Sequence, residues 1–385
     1  MKKPICLVSF DYPPLEGGIS RLCAAIVERL VAQEHPVSVV SREHAEATSA
    51  FVIPHTNEYR VPAKRGKAEW QLFKRLRRYH RDDLIITGVW YPEALIARLA
   101  GCKNIVVLAH GNEVMAGRPT WKNRLLSTAR RWLFDHVRLI IANSHYTGEL
   151  VSAQTQTPVE VATLGVDEKR FVPLEPEQRQ QARQRFKLPQ DKFVVLTTSR
   201  VQAYKGHDVV LKALAEIPED ERTSLHYAIA GRGEHLANLQ QLTEELGLTS
   251  QVSFLGFVEE NDLASLYGCV DVFAMCTREE KENKQVEGFG LVFLEAQACG
   301  TPAIGVKQGG ITDAIVDQRG GYLIERDDQF ALADILRLLV QEPSILAKQQ
   351  TLARERVEAE ATWDHYGQRV SEILARYVEE HHANA

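Results

Sequence analysis

The chain has 385 residues, 44% of them hydrophobic and 25% charged, which suits a globular protein of two domains and is too long for one ordinary core. No stretch reaches the 18 apolar residues of a spanning helix, and the six scattered cysteines form no CxxC pair, which argues against a disulfide framework or a zinc site. Net charge is −5 and the pI near 6.3, which disfavours a nucleic-acid binder. Lys and Arg exceed Asp and Glu by seven up to Arg170 and fall short by twelve thereafter. That asymmetry points to an anionic partner for the first half.

In chain order, short β-branched runs alternate with amphipathic helical stretches, the pattern of parallel sheets built from βαβ units. The N-terminal "ICLVSF" (5–10), followed by Asp11 and two prolines, reads as a first strand and not a signal peptide. Further strands are expected at 36–41, 84–88, 104–110, 139–144 and 159–166, then at 193–199, 226–231, 252–258, 271–276, 302–306 and 321–324. The polar, proline-bearing stretch 167–191 reads as the boundary, with at most one short helix. Residues 1–170 with a terminal helix at 363–381 are expected as one domain and 171–362 as the other.

Open α/β sheets bind ligands at the carboxyl ends of their strands. There, "SFDYPPLEGGIS" brings Gly17 and Gly18 to a helix start, where backbone N–H groups can meet an anion. It lacks the GxGxxG spacing of a dinucleotide fold, which disfavours a dehydrogenase; a plain turn is the bland alternative. "LAHGNE" places His110 and Glu113 at a strand end, although most histidines in such settings are structural. "TTSRVQAYKGHD" puts Arg200 and Lys205 in one strand-to-helix loop, a planar fork and a point charge suited to a diphosphate, or else a solvated loop. "AGRGE" brings Gly231 and Arg232 to another strand end, a weak signal that also fits a tight helix entry.

The stretch "QVEGFGLVFLEAQACG" sets Glu287 and Glu295 eight residues apart around Gly-Phe-Gly. With a helix opening at Phe289, the N–H groups of Gly288, Phe289 and Gly290 would face a phosphate. Glu287 could then accept from ligand hydroxyls and Glu295 from a vicinal diol such as ribose. A capping Glu and a buried Glu paired with arginine are the alternative. "RDD" at 81–83 and at 326–328 are adjacent acidic pairs in polar surroundings, so no metal site is expected and no cofactor beyond a co-substrate.

Taken in order, "PPLEGGIS", "HGNE", "ANSHYT", "LGVDEKRFVP", "SRVQAYKGHD", "AGRGE", "VSFLGFV", "VDVFAM", the EX7E block and the terminal "TWDHYGQRV" make the chain resemble the retaining family 4 glycosyltransferases of GT-B fold. The resemblance implies two Rossmann-like doubly wound domains facing across a cleft, with the terminal helix crossing back to the first. It implies a nucleotide-diphosphate sugar in the second domain and a saccharide or lipid-linked acceptor in the first. On it, Arg200 and Lys205 are diphosphate contacts, and the backbone of Phe289, Gly290 and Leu291, with Gly17 or Gly18, completes the phosphate cradle. Gly231 and Arg232 join the donor-binding set, Val258 meets the base edge and Glu295 the ribose. Glu287 and His110 hold the donor sugar, with Glu16 and Glu113 on the acceptor side. It implies metal-independent hexosyl transfer from a UDP- or GDP-sugar at the cytoplasmic face, in envelope glycan or glycolipid synthesis. A sugar-nucleotide epimerase and a non-catalytic sugar-nucleotide-binding subunit are the alternatives. The charged run "CTREEKENKQVEG" is longer than the family's usual link. Two basic, aromatic stretches, 63–83 and 118–138, suit an anionic membrane surface, or are solvated helices packed on the first sheet.

Overall fold

The computed structural model describes residues 3–15, 17–44, 52–115, 118, 120–283 and 285–379. The chain divides into two compact units: residues 1–165 with 281–284 and 363–385, and residues 166–280 with 285–362.

The first unit holds a seven-stranded parallel sheet in the order β3-β2-β1-β4-β5-β6-β7. The strands are β1 (Ile5–Val8), β2 (Val37–Arg42), β3 (Thr56–Val61), β4 (Leu84–Thr87), β5 (Ile105–Ala109), β6 (Leu139–Ala142) and β7 (Val159–Val161). β1, β4, β5 and β6 are buried along their whole length, which is why they read as unbroken apolar runs. β3 is a strand that hydrophobic patterning does not show. "TNEYRV" is polar because it pairs with β2 alone, at the sheet's edge.

The second unit holds a six-stranded parallel sheet in the order β10-β9-β8-β11-β12-β13. Its strands are β8 (Phe193–Thr198), β9 (Leu225–Ala230), β10 (Val252–Gly256), β11 (Val272–Met275), β12 (Ala303–Val306) and β13 (Gly321–Ile324). In both sheets the order reverses once, between β1 and β4 and between β8 and β11. A reversal splays the following loops apart and opens a crevice at the strand ends. The fold is thus two doubly wound Rossmann-like units, the GT-B arrangement of layers.

One boundary differs from the sequence reading. Residues 166–170, expected at the end of the first domain, are tied to the second unit. The Val166 N–H donates to the Ala361 carbonyl (2.9 Å), and Arg170 pairs with Glu260 (2.9 Å). The terminal helix Trp363–Glu379 packs on the first unit's helix Gly18–Ala32, where Gly367 lies against Arg29 and the Ala25 carbonyl. Position 381 lies outside the described residues.

Candidate active site

At the second sheet's reversal point, the loops after β8 and β11 are bound together. Gly206 sits in the left-handed region (φ +73°) and so close to the loop after β11 that a Cβ would fall 1.9 Å from the Cys276 carbonyl oxygen. Only glycine allows that approach. It lets helix His207–Glu216 start directly after Lys205. Lys205 Nζ lies 2.7 Å from Glu287 Oε2, with 12% and 19% of the two side chains exposed. Burial works against the Lys205 ammonium, but the charges of Glu287 and Tyr204 outweigh it, and its pKa stands above the ordinary lysine range. Arg200 is exposed, and its charge acts on Lys205.

The charged run does not displace Glu287. Glu280 and Gln285 pair backbone to backbone (2.8 and 3.1 Å), which closes the run shortly before Glu287. Gly310 N–H then donates to the Glu287 carbonyl (2.9 Å), holding its backbone from the loop after β12.

The helix carrying Glu295 runs Leu291–Ala298 and not from Phe289. Gly290 at φ +91° is its N-cap, a left-handed residue that no helix interior accommodates. The entering N–H groups are therefore those of Leu291 and Val292, because Phe293 N–H already bonds the Gly290 carbonyl (3.0 Å). Phe289's side chain is buried. Glu295 is buried too and accepts from the Tyr267 hydroxyl (3.1 Å), which also bonds Thr198 (2.6 Å). Glu295 is thus held by a tyrosine hydroxyl.

Gly231 follows β9, and a Cβ there would fall 1.8 Å from the Ser199 carbonyl. Val201 N–H donates to the Arg232 carbonyl (2.9 Å) and His235 N–H to that of Val201 (3.2 Å), so "AGRGE" braces the Arg200 loop. The Arg232 guanidinium lies over the exposed Phe257 ring (5.5 Å). Val258 is half-buried in the loop beyond β10, which ends at Gly256.

Sequence reading missed Arg278. It donates to both Asp208 oxygens (2.7 and 2.8 Å), to Asp327 (2.5 Å) and to the Ala203 carbonyl (3.2 Å). Burial would raise the Asp208 carboxyl, but Arg278 and Lys212 hold it down at about 2. Arg278 thus fastens the charged run to the loop that bears Lys205. Nothing in "CTREEK" distinguishes this arginine from its charged neighbours before its partners are seen. Of the acidic pair at 327–328, Asp327 serves Arg278, while Asp328 caps helix Gln329–Gln341 through Ala331 N–H (2.9 Å).

In the first unit, Gly17 is the N-cap of helix Gly18–Ala32 at φ +147°, so the turn demands glycine although a Cβ would meet nothing within 4 Å. Glu16 lies outside the described residues. The His110 ring donates from Nε2 to the Gly88 carbonyl (2.7 Å), and His110 N–H donates to Glu113 Oε1 (2.6 Å). Glu113 is therefore committed to its own loop through that oxygen. Its carbonyl accepts from Trp90 Nε1 and Arg130 Nη1, both at 3.0 Å. Arg130 belongs to the basic stretch 118–138, yet it is buried and also clamps Gln154 (2.7 Å). Burial lowers its pKa despite the Glu113 charge.

The first basic stretch forms helix Lys67–Tyr79, with Ala68, Leu72 and Leu76 buried and Trp70 56% exposed, stacked on Phe73. Trp70 thus faces outward from the helix. Helix Trp121–Phe134 exposes Trp121 (72%), Leu125 and Trp132 beside Lys122, Arg124 and Arg131.

Residues 178–356 match the family model of glycosyl transferases group 1, and residues 16–170 that of glycosyltransferase family 4. The chain is similar to a GDP-mannose-dependent α-(1-6)-phosphatidylinositol monomannoside mannosyltransferase of Mycolicibacterium smegmatis, at 30% identity over 96% of this chain and 97% of that one. A mannosyltransferase of Corynebacterium glutamicum, acting on the monoacylated form of that lipid, is 29% identical over the same shares. Among solved structures, Anabaena HepE in complex with UDP superposes with a TM-score of 0.77 at 20% identity, covering 97% of this chain and all of that one. Sucrose-phosphate synthase of Thermosynechococcus elongatus superposes at 0.76 and 21% identity, over 98% of this chain and all of that one. The fold and the strand-end loops define a GT-B protein. The chain belongs to the family 4 glycosyltransferases and is a glycosyltransferase.

Proposed function

We propose that the protein moves a hexosyl group from a nucleotide-diphosphate sugar to a lipid-linked or saccharide acceptor, with retention of configuration and without a metal ion. The observation that carries this reading is the cation pair of the β8 loop. Lys205 is held against Glu287, and Arg200 is exposed beside it, at the second sheet's reversal point. Two such cations and the start of helix Leu291–Ala298 supply the charge that a departing diphosphate requires. In this reading the acceptor oxygen bonds to the sugar's anomeric carbon on the face the phosphate leaves. The carbon–phosphate oxygen bond breaks, and the leaving phosphate takes the acceptor proton. Glu295 binds ribose, Glu287 and His110 bind the sugar, and Val258 and Arg232 line the base. Gly17 and Gly18 reach the phosphates.

Among described residues no helix is long and apolar enough to cross a membrane. The exposed aromatic and basic side chains of helices 67–79 and 121–134 suit attachment to an anionic lipid surface, and two relatives are named for mannosyl transfer to phosphatidylinositol monomannosides. GDP-mannose, the donor named for those relatives, is the first to test. A panel of UDP-, GDP- and ADP-sugars screened by thermal shift identifies the nucleotide, since tight binding raises apparent stability. Transfer to a mannosylated phosphoinositide is then followed by NMR of the product linkage, with and without EDTA. Inversion at the anomeric carbon, or loss of activity in EDTA restored by manganese, would refute the reading. Donor conversion without any acceptor would identify an epimerase instead.

A further inference from the structure

The buried carboxylate at the first unit's reversal point is claimed by none of the roles above. Glu93 follows β4 and is 2% exposed. Its Oε1 accepts from Phe10 N–H (2.7 Å), in the loop after β1, and its Oε2 from Val89 N–H (3.0 Å), in the loop after β4. It therefore joins the two loops that the strand order drives apart. Gly88 is pressed against it, since a Cβ there would lie 3.2 Å from Oε2 and 2.6 Å from the Ser9 hydroxyl. The Gly88 carbonyl belongs to the same peptide as the Val89 N–H, and it accepts from His110 Nε2. One peptide plane thus carries the Glu93 bond on one side and the His110 bond on the other.

We propose that Glu93 is the positioning residue for His110: through the 88–89 peptide it fixes the imidazole's orientation and its Nε2–H tautomer, and through Phe10 it holds the loop leading to Gly17. A buried acid is costly unless its bonds are satisfied, so in this place it is kept for what it holds. Burial pushes its pKa up to about 8, although the Phe10 and Val89 N–H groups pull it down. Asp11 raises it further, and the neighbouring titratable group is the Cys23 thiol, itself raised by burial. Both protonation states leave oxygens able to accept, so the clamp survives near neutrality. Glu93→Gln does not preserve it, because an amide offers one acceptor and sets an NH2 against the other N–H.

The inference rests on the donor-sugar role given to His110, but its first test does not. Selective 15N-histidine NMR of the full chain, assigned with His110→Ala, should show the Nε2–H tautomer in the wild type. In Glu93→Gln that signal should lose its tautomer preference and exchange with water about tenfold faster. Glu93→Asp, which reaches one N–H only, should fall between, and serves if the glutamine variant does not fold. An unchanged His110 signal in the variants overturns the proposal, whatever the enzyme's substrates. In the transfer assay, Glu93→Gln should lower kcat about tenfold with donor KM within about twofold. Added to His110→Ala it should cause no further loss, since residues acting as one unit are non-additive. Additive losses would overturn the link to turnover, and failure of wild-type transfer with the NMR result intact would count against the functional reading alone.

Discussion

After β1 and β4 the loops are joined by a single buried carboxylate that accepts from backbone; after β8 and β11 they are joined by ion pairs that still touch solvent, Lys205–Glu287 and Arg278–Asp208. The geometric need is the same, because each strand order opens a crevice that something must span. The difference lies in what is left over for a ligand. Glu93 spends both oxygens on the protein and presents nothing outward, so it can only position. Lys205, partly exposed and charged, both spans the crevice and offers its ammonium to an anion. Both members of the Lys205–Glu287 pair still reach solvent, which leaves them free to exchange partners when a diphosphate arrives.

This contrast breaks if the ion-paired loops prove merely structural. Lys205→Ala and Arg200→Ala should each lower turnover about a hundredfold with the circular dichroism spectrum unchanged, the cost of one preorganised donor to a developing anion. Wild-type turnover in either would sink the assignment. Arg278 is expected to act one step removed. Its replacement by alanine or by lysine, which cannot hold both Asp208 oxygens, should cost about tenfold in kcat through a displaced Lys205. Equal rates for Arg278→Lys and wild type would show that the bidentate clamp is unnecessary. Glu295→Ala should weaken nucleotide binding in calorimetry about tenfold, the scale of a lost hydrogen bond to a charged group. Unchanged affinity would remove the ribose role.

Protons sharpen the comparison, since the two clamps respond with opposite sign. Asp208 is held at about 2, below its unfolded value near 3.8, so its contribution is present above pH 4 and lost as pH falls toward 2. Glu93 is raised to about 8, so its protonated state favours the fold below about pH 4.5 and stability declines as pH rises through that window to 8. Urea denaturation against pH should therefore show an acid slope below pH 4 that Asp208→Asn flattens, worth about 2 kcal/mol, and a decline between about pH 4.5 and 8 that Glu93→Gln flattens. If either substitution leaves its slope in place, the corresponding group is not the one titrating. The smallest effect concerns charge balance. Vesicles of anionic lipid should sediment the protein at low salt and neutral vesicles should not, at about 1 kcal/mol per engaged cation. Binding should weaken when Lys74, Arg77 and Arg78 become serine, or Trp121 becomes alanine. Equal partition into both lipids would leave a water-borne saccharide acceptor as the reading.

Twelve of the thirteen strands among the described residues were legible because most are short apolar runs, the mark that burial on both faces leaves on composition. β3 was not, since "TNEYRV" is polar, which its single-partner place at the edge tolerates. The residue types of the candidate site could be read as well: a cation pair before a glycine, and two glutamates around Gly-Phe-Gly, are local patterns whose chemistry does not depend on distant neighbours. Their pairing could not. That Lys205 meets Glu287, 82 positions on, and that Glu295 meets Tyr267 follows from strand order, which no local signal encodes. The helix start moved from Phe289 to Leu291 because Gly290 turns left-handed there. Arg278, Arg130 and Glu93 look like ordinary surface charges in the sequence. Only the tertiary structure turns them inward, because a buried charge is recognised by the partners that offset its desolvation, and those partners come from loops far apart in the chain.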